Sequence, residues 1–318
     1  MQAEADGPHR AMVVGISAPQ GAGKTTLVRK LVDELAARGL RAAALSTDDG
    51  YLPYEQQQAV AAAHAHNPLL HFRGPPGTHD VALIRDVVKA LADGRGDGSS
   101  DANEPHTVAI PVYDKALRGG RGDRLPERQW RRVAVPLDVV LLEGCHFGFR
   151  SIDTITLAAL LDADADRGGL GMPAAQRYER RCLLESMTAL REYEREWYPL
   201  VDSFIHIVAD SISNVYAWRW QQEEAMRARL GDPHAGLSLE QVHDFVDRFM
   251  PFYELCLTRL TSEGFFGTDP RGGADSTGAG RTEPAGGGEP MPPGVCRHLQ
   301  LRIDASRALV GACWLNSK

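Results

Sequence analysis

The chain has few cysteines, no excess of positive charge and no long apolar run. Its five cysteines are scattered and show no Cys-x-x-Cys spacing, which argues against a disulfide framework or a zinc site. With 35 basic against 42 acidic residues, the formal net charge of −7 gives no general attraction to nucleic acid or to an anionic membrane. No apolar run approaches the length of a membrane span. We therefore expect a globular protein of a reducing compartment that binds neither nucleic acid nor membrane and holds any anionic ligand by local contacts.

The most informative stretch is glycine-rich and lies between an apolar run at 12–16 and a helical pattern. It reads Gly15-Ile-Ser-Ala-Pro-Gln-Gly-Ala-Gly-Lys-Thr-Thr26. Glycines let consecutive backbone N–H groups face phosphate oxygens, and a helix N-terminus adds partial positive charge. The pattern G-x-x-x-x-G-K-[ST] is met except that Ala18 replaces its first glycine. The residues predicted to bind the nucleotide phosphates are Gly21, Ala22, Gly23, Lys24, Thr25 and Thr26.

Within this loop, Lys24 is expected to reach the β- and γ-phosphates, and the Thr25 hydroxyl is expected to bind Mg²⁺. A second magnesium ligand is predicted at the end of the apolar run 133–142, which reads as one strand buried on both faces of a parallel sheet. Glu143 follows this run directly, as in a Walker B strand. It can bind the metal itself or through water.

Another short apolar segment, 41–46, is predicted to be a strand that delivers Asp48 and Asp49 at its carboxyl end. Ligands of open α/β sheets bind at that edge. A carboxylate there can accept the proton of an attacking hydroxyl or hold the metal, and an Asx-type turn is the structural alternative. The residues alone leave these roles open and do not choose between Asp48 and Asp49.

Arginines are concentrated in two segments. In 113–124 they alternate with glycines, so Arg118, Arg121 and Arg124 can clamp a carboxylate or phosphate, or can form a solvated basic loop. In the helix predicted over 213–230, Arg219 and Arg227 either belong to a mobile lid over the transferred phosphoryl group or form a wet helix face. Both alternatives remain open for each segment.

Hydrophobic spacing and turn residues outline the rest of the chain. Further helices are predicted over 27–39, 55–66, 81–92 and 173–197 and from Ser238, with a loop over 163–171, and further strands over 107–111, 202–209 and 297–303, the last taken as the final strand. Residues 94–105 are predicted to be a flexible loop. Residues 267–294 are rich in glycine and proline, so we expect a disordered insertion there. His64, His66, His71 and His79 show no recognisable metal spacing.

Several motifs in order resemble one family, the D-glycerate 3-kinases of plants and their fungal relatives, which are P-loop kinases related to uridine kinase, phosphoribulokinase and pantothenate kinase. Besides the glycine-rich stretch, the motifs are Ser46-Thr-Asp-Asp-Gly-Tyr-Leu52, Arg73-Gly-Pro-Pro-Gly-Thr-His-Asp80, Pro111-Val-Tyr-Asp-Lys115, Gly119-Gly-Arg-Gly-Asp-Arg124, Leu142-Glu-Gly144, Trp218-Arg-Trp-Gln-Gln-Glu-Glu-Ala-Met-Arg227 and Phe249-Met-Pro-Phe-Tyr-Glu254. The resemblance covers nearly the whole chain except the two glycine-rich insertions.

The resemblance implies a single P-loop kinase domain over 1–318, with an α/β P-loop NTPase fold: a parallel β-sheet flanked by helices, with a helical lid and glycine-rich insertions. It implies transfer of the γ-phosphoryl group of ATP, with Mg²⁺, to a hydroxyl of D-glycerate, giving 3-phosphoglycerate. Among the wider P-loop kinases, the first aspartate of an Asp-x-Phe-Tyr motif acts as base, and it falls on Asp48; Lys24 and Asp49 complete the catalytic candidates. The implied substrate-binding residues are Tyr51, His79, Asp80, Tyr113, Lys115, Arg121 and Arg124, and Arg219 and Arg227 are implied on the nucleotide.

The sequence differs from the wider P-loop kinases at Gly50, where they have phenylalanine, and from the expected pattern at Val112, where arginine is expected before Tyr-Asp-Lys. Alternative functions are therefore a kinase for another small alcohol, such as a nucleoside or a pantothenate-like compound, and an ATP-binding protein with decayed kinase activity. A GTPase switch is disfavoured because the chain has no Asn-Lys-x-Asp motif. The expected partners are ATP and a small anionic hydroxyl substrate. The expected compartment is the cytoplasm, or the chloroplast if a transit peptide has been removed. The oligomeric state is not predicted.

Overall fold

A computed structural model describes residues 10–94, 106–169, 171–233, 236–267 and 297–315. The chain falls into two compact units. The first unit comprises Met1–Gly15, Thr25–Gly144 and Glu192–Asp202, and the second comprises Ile16–Lys24, Cys145–Arg191 and Ser203–Lys318. The predicted flexible loop beyond Gly94 and the predicted insertion beyond Gly267 lie outside the described residues, and the expectation of a single domain stays a prediction.

The first unit contains most of the segments that the sequence predicts around the two aspartates. Its strands are β1 (Met12–Ser17), which ends in the second unit, β2 (Ala42–Ser46), β3 (Thr107–Ile110), β4 (Tyr113–Asp114), β5 (Asp123–Arg124), β6 (Arg131–Ala134) and β7 (Val139–Gly144). Its helices are α1 (Lys24–Ala37), α2 (Tyr54–Ala63) and α3 (Val81–Asp93). β1, β7 and β2 lie side by side in that order, and β3 with β6 and β4 with β5 form antiparallel pairs.

The register of β2 and β7 places the predicted carboxylates together. The two strands are parallel and pair Ser46 with Glu143, so both strands end at one edge, with Asp48 two residues beyond. The prediction of one strand over 133–142 is wrong. That segment contains Pro136, which has no N–H for a strand ladder, so β6 ends at Ala134 and pairs with β3, and β7 starts at Val139.

The second unit contains α4 (Thr154–Asp166), α5 (Arg180–Glu196), whose last turn belongs to the first unit, β8 (Ser203–Ala209), α6 (Asn214–Leu230), α7 (Leu239–Asp247), α8 (Met250–Glu263), β9 (His298–Ile303) and β10 (Leu309–Leu315). β8 is parallel to β9, and β10 returns antiparallel to β9. The sequence analysis took 297–303 as the final strand, and this prediction is wrong because β10 follows β9. The predicted start at Ser238 is confirmed, because its side chain and that of Gln241 form a reciprocal capping box.

Two other boundaries differ from the predictions in this unit. The helix predicted from Pro173 begins only at Arg180, because a short 3-10 turn at Ala175–Arg177 and an extended Tyr178 precede it. The loop predicted over 163–171 starts later, since α4 continues to Asp166. The arrangement of mostly parallel strands and flanking helices confirms the α/β class. Within the described ranges, no helix has both the length and the apolar character needed to cross a bilayer.

Candidate functional site

The glycine-rich loop has the backbone of a phosphate-binding loop. Gly21 and Gly23 have φ angles of 75° and 92°, which favour glycine. A Cβ at position 21 would lie 2.5 Å from Cβ of Trp218, so no larger residue fits there. Helix α1 begins at Lys24, immediately after the glycines. The loop therefore ends at a helix N-terminus that can attract anions.

Two residues that the sequence analysis missed support this loop within the second unit. In the turn between β9 and β10, Arg307 donates from Nε to the carbonyl of Gly21 at 2.6 Å, and its guanidinium lies 5.3 Å from the Trp218 ring centre. The Tyr253 hydroxyl accepts from the backbone N–H of Gln20 at 3.2 Å. Both residues are far from the loop in sequence. Tyr253 lies in the motif at 249–254, which did not indicate this contact, and Arg307 lies in none of the motifs.

The predicted arginines of α6 are engaged inside the second unit. Arg219 forms an ion pair with the buried Glu223, and its guanidinium lies 5.4 Å from the Phe245 ring centre. Arg227 donates to the Leu237 carbonyl and lies 4.7 Å from the Trp220 ring centre. The contact of Arg219 with Phe245 attaches α6 to α7, and the bond from Arg227 to Leu237 attaches it to the segment before α7. The assignment of both arginines to the nucleotide stays a prediction.

Asp48 is held by two side chains in the first unit. It lies in a short 3-10 turn, Thr47–Gly50, that follows β2 and is capped by the Ser46 hydroxyl, which accepts from the Asp48 N–H. The Asp48 carboxylate accepts from Lys115 Nζ at 2.6 Å and from the Tyr51 hydroxyl at 3.0 Å. The Asp48 charge is the main cause that raises the pKa of Lys115. A cation and a hydroxyl thus orient an ionised carboxylate, as a general base requires.

Asp49 lies in a different environment from its neighbour. It accepts a hydrogen bond from the backbone N–H of Tyr113, at 3.3 Å. Burial, followed by repulsion from Asp48, raises the pKa of Asp49 to about 6, and the hydrogen bond from Tyr113 opposes this. The two aspartates therefore differ in their partners, and the choice of Asp48 as the base stays a prediction.

Glu143 ends β7 with its side chain buried. Its charge contributes to raising the pKa of Lys115, so the two groups are within electrostatic reach. Thr25, the other predicted metal ligand, and its neighbour Thr26 are exposed in the first turn of α1. Threonine hydroxyl and carboxylate oxygens are hard donors of the kind that Mg²⁺ prefers.

His79 belongs to an aromatic cluster. Its Nδ1 lies 2.5 Å from the Tyr193 hydroxyl, and its ring packs 4.5 Å from that of Tyr51. Burial lowers the pKa of His79 to about 4, so the ring is neutral at physiological pH. A neutral ring between Tyr193 and Tyr51 can orient the Tyr51 hydroxyl, which donates to Asp48. It offers no positive charge to a substrate.

The arginines of 118–124 differ in their partners. Arg124 is bound through both terminal nitrogens to Asp80 at 3.1 Å and also donates to the Tyr51 carbonyl. Asp80 also caps α3. Arg118 pairs with Asp123 at 3.1 Å, whereas Arg121 donates to the side-chain oxygen of a glutamine in α2. Arg124 and Asp80 therefore fix the turn beneath Tyr51, and Arg121 has a neutral partner.

Comparison with known proteins identifies the family. No protein-family model matches the chain. The uncharacterized kinase mug58 of Schizosaccharomyces pombe is 34% identical over 255 residues, which cover 80% of this chain and 84% of that protein. The solved structure of D-glycerate 3-kinase from Cryptococcus neoformans is 31% identical in sequence to this chain. The match covers 96% of this chain and 90% of that chain, with a TM-score of 0.73. The chain belongs to the D-glycerate 3-kinase family.

The chloroplastic D-glycerate 3-kinase of Arabidopsis thaliana is also similar, with 34% identity over 259 residues, which cover 81% of this chain and 50% of the plant protein. Membership in the D-glycerate 3-kinase family confirms the predicted P-loop kinase fold and kinase activity. Within this family member, the structure brings Asp48, Lys115, Tyr51, His79 and Tyr113 into one connected group. The individual roles of these residues stay predictions.

Proposed function

We propose that the protein is a single-domain, ATP- and Mg²⁺-dependent kinase that phosphorylates the C3 hydroxyl of D-glycerate. The observation that carries the proposal is the ion pair between Asp48 and Lys115 at the carboxyl end of β2, together with the Tyr51 hydroxyl. This arrangement supplies an oriented carboxylate for a hydroxyl acceptor. The names of the relatives support D-glycerate as that acceptor.

In the proposed reaction, the acceptor oxygen attacks the γ-phosphorus of ATP, the bond from that phosphorus to the β,γ-bridging oxygen breaks, and ADP leaves. Asp48 takes the proton of the acceptor hydroxyl. Lys24 and the glycine-loop N–H groups bind phosphate oxygens, which suits the left-handed glycines and the helix start. Thr25 and Glu143 would hold Mg²⁺, which supplies charge neutralisation for the phosphates.

The test is ADP release from Mg-ATP with and without D-glycerate, with identification of the phosphorylated product. We expect D-glycerate to stimulate release, Lys24→Ala to reduce it by several orders of magnitude, and Asp48→Asn to reduce it by about 10²- to 10⁴-fold. Asp33→Asn changes an exposed carboxylate on α1 and is the matched control. If only other alcohols stimulate ADP release, D-glycerate is not the acceptor and that part of the proposal is wrong. If Asp48→Asn keeps near wild-type turnover and Asp49→Asn loses it, the assignment of Asp48 as the base is wrong.

A further inference from the structure

A narrow cleft in the first unit lies between α2, residues 71–73 and the loop 113–122. We call it the arginine cleft, after Arg73 and Arg121, which line it together with Gln57 and Tyr113. It encloses about 10 Å³, which is room for one water-sized group. The cleft can therefore take one small polar end of a ligand, such as a carboxylate oxygen, while the rest of the molecule lies outside.

The hydrogen bonds of both cleft arginines go to neutral acceptors, and each guanidinium also lies over an aromatic ring, Arg73 over Tyr113 and Arg121 over Phe72. Arg73 donates from Nη1 to the carbonyls of Gly120, at 2.9 Å, and Arg121. The Arg121 guanidinium donates to Gln58 Oε1 at 3.0 Å. Within the described ranges, neither guanidinium has a carboxylate partner.

The neighbouring cations differ in this respect, since Lys115, Arg118 and Arg124 are each paired with an aspartate. Two adjacent positive charges without a protein carboxylate favour an anionic ligand. A guanidinium matches the geometry of a carboxylate.

Gln57 adds an acceptor to these donors. Its side chain is 95% buried, and its Nε2 donates to the Leu70 carbonyl at 2.8 Å, which fixes the orientation of the amide. The other end, Oε1, is buried and has no hydrogen-bond partner among the described residues. An unpaired buried acceptor costs about 1–3 kcal/mol, so a ligand that donates a hydrogen bond to it would bind favourably. Donors for a carboxylate beside an acceptor for a hydroxyl match a hydroxy acid.

Tyr113 connects the cleft to the reacting carboxylate. Its ring lines the cleft and lies 5.3 Å from the ring of Tyr51, whose hydroxyl donates to Asp48. The charge of Arg73 also reaches Lys115, the ion-pair partner of Asp48, and opposes the upward shift of its pKa. Tyr113 and Tyr51 thus link the lining of the arginine cleft to Asp48.

We infer that the arginine cleft binds the carboxylate of the acceptor, with Gln57 accepting from the adjacent hydroxyl, and that Arg73 selects hydroxy acids over neutral alcohols. This inference rests on the proposed function for the identity of the reaction. Loss of a charge-assisted hydrogen bond corresponds to about a 10- to 100-fold loss of affinity. We expect a loss of that size for D-glycerate when Arg73 is removed.

The experiment measures two quantities for the full chain: the Kd of D-glycerate by titration calorimetry, and kcat/KM for D-glycerate and for glyceramide, in which a neutral amide replaces the carboxylate. We compare wild type with Arg73→Met and with Arg128→Met, a control at an exposed arginine outside the cleft. We expect Arg73→Met to raise the Kd of D-glycerate about 10- to 100-fold and to leave the KM for ATP and any glyceramide turnover unchanged. An unchanged Kd, or an equal fall for both acceptors, would overturn the inference.

Arg73 also donates to the backbone at 120–121, so its removal can disturb that loop. A second variant therefore tests the cleft with Arg73 in place. Gln57→Glu keeps Arg73 and its contacts but puts a carboxylate beside the two arginines, so we expect it to weaken D-glycerate binding as well. Unaltered affinity in Gln57→Glu would count against the cleft. If wild type binds D-glycerate through Arg73 but does not phosphorylate it, the proposed function fails and the cleft stands. If it phosphorylates D-glycerate and Arg73→Met binds normally, only the cleft fails.

Discussion

Replacing Asp49 with asparagine should stabilise the protein at neutral pH. The pKa of Asp49 is raised from 3.8 to about 6, mainly by burial, so its charged form is less favourable in the folded state. Between these two values the folded state holds a proton that the unfolded state has released. The free energy of unfolding therefore falls as the pH rises through this window, and the loss is complete above about pH 6.

The magnitude follows from the size of the shift. About two pKa units correspond to roughly 3 kcal/mol, which is the largest gain that Asp49→Asn can give at pH 8. At pH 5 only part of the penalty is present, and the gain should be about 1.5 kcal/mol. The asparagine oxygen can still accept from the Tyr113 N–H, so the hydrogen bond that the structure shows need not be lost.

The assay is urea unfolding of wild type and Asp49→Asn at pH 5 and at pH 8. Comparing the two proteins at each pH cancels the titration of other groups. Asp33→Asn, at an exposed position on α1, is the control for loss of a carboxylate. If Asp49→Asn is no more stable than wild type at pH 8, or if its gain is the same at both pH values, the buried charge is not destabilising and the reasoning is wrong.

Two further predictions concern the second unit. His206 is fully buried and its pKa is lowered to about 3 by burial, so protonation of the unfolded state should cost about 2 kcal/mol of stability between pH 7 and pH 5. His206→Leu should lose correspondingly less stability over that range in urea unfolding, and an unchanged pH dependence would contradict this. Arg307→Gln removes the hydrogen bond to the Gly21 carbonyl, so steady-state kinetics should show a severalfold higher KM for ATP and an unchanged KM for the acceptor. A KM for ATP equal to that of wild type would contradict a supporting contribution of Arg307.

Local signals in the sequence predicted the elements that local chemistry determines. The phosphate loop needs glycines with positive φ before a helix, and Gly21 and Gly23 have that conformation. The start of α7 is specified by Ser238 and Gln241, three residues apart. The end of β2 at Ser46, two residues before Asp48, follows from a short apolar segment bounded by polar residues. In each case the information lies within a few residues.

The errors and omissions concern features that depend on contacts between distant parts of the chain. Residues 133–142 are apolar enough for one buried strand, but Pro136 and the pairing of β6 with β3 divide them. β10 could not be recognised as a return strand, because it is set by its antiparallel pairing with β9. The ion pair of Asp48 and Lys115 joins residues 67 positions apart, and neither residue type nor spacing indicates it. The same holds for Arg73 and Gln57, which the sequence analysis did not single out.

Gly50, in the turn that carries both aspartates, packs directly against α3. A Cβ at this position would overlap the side chain of Ile84, which is fully buried. Overpacking a filled site is destabilising, so a phenylalanine at position 50 cannot be accommodated beside this isoleucine. Positions 50 and 84 therefore share one volume, so a larger side chain at position 50, beside the two aspartates, requires a smaller residue at position 84 of α3.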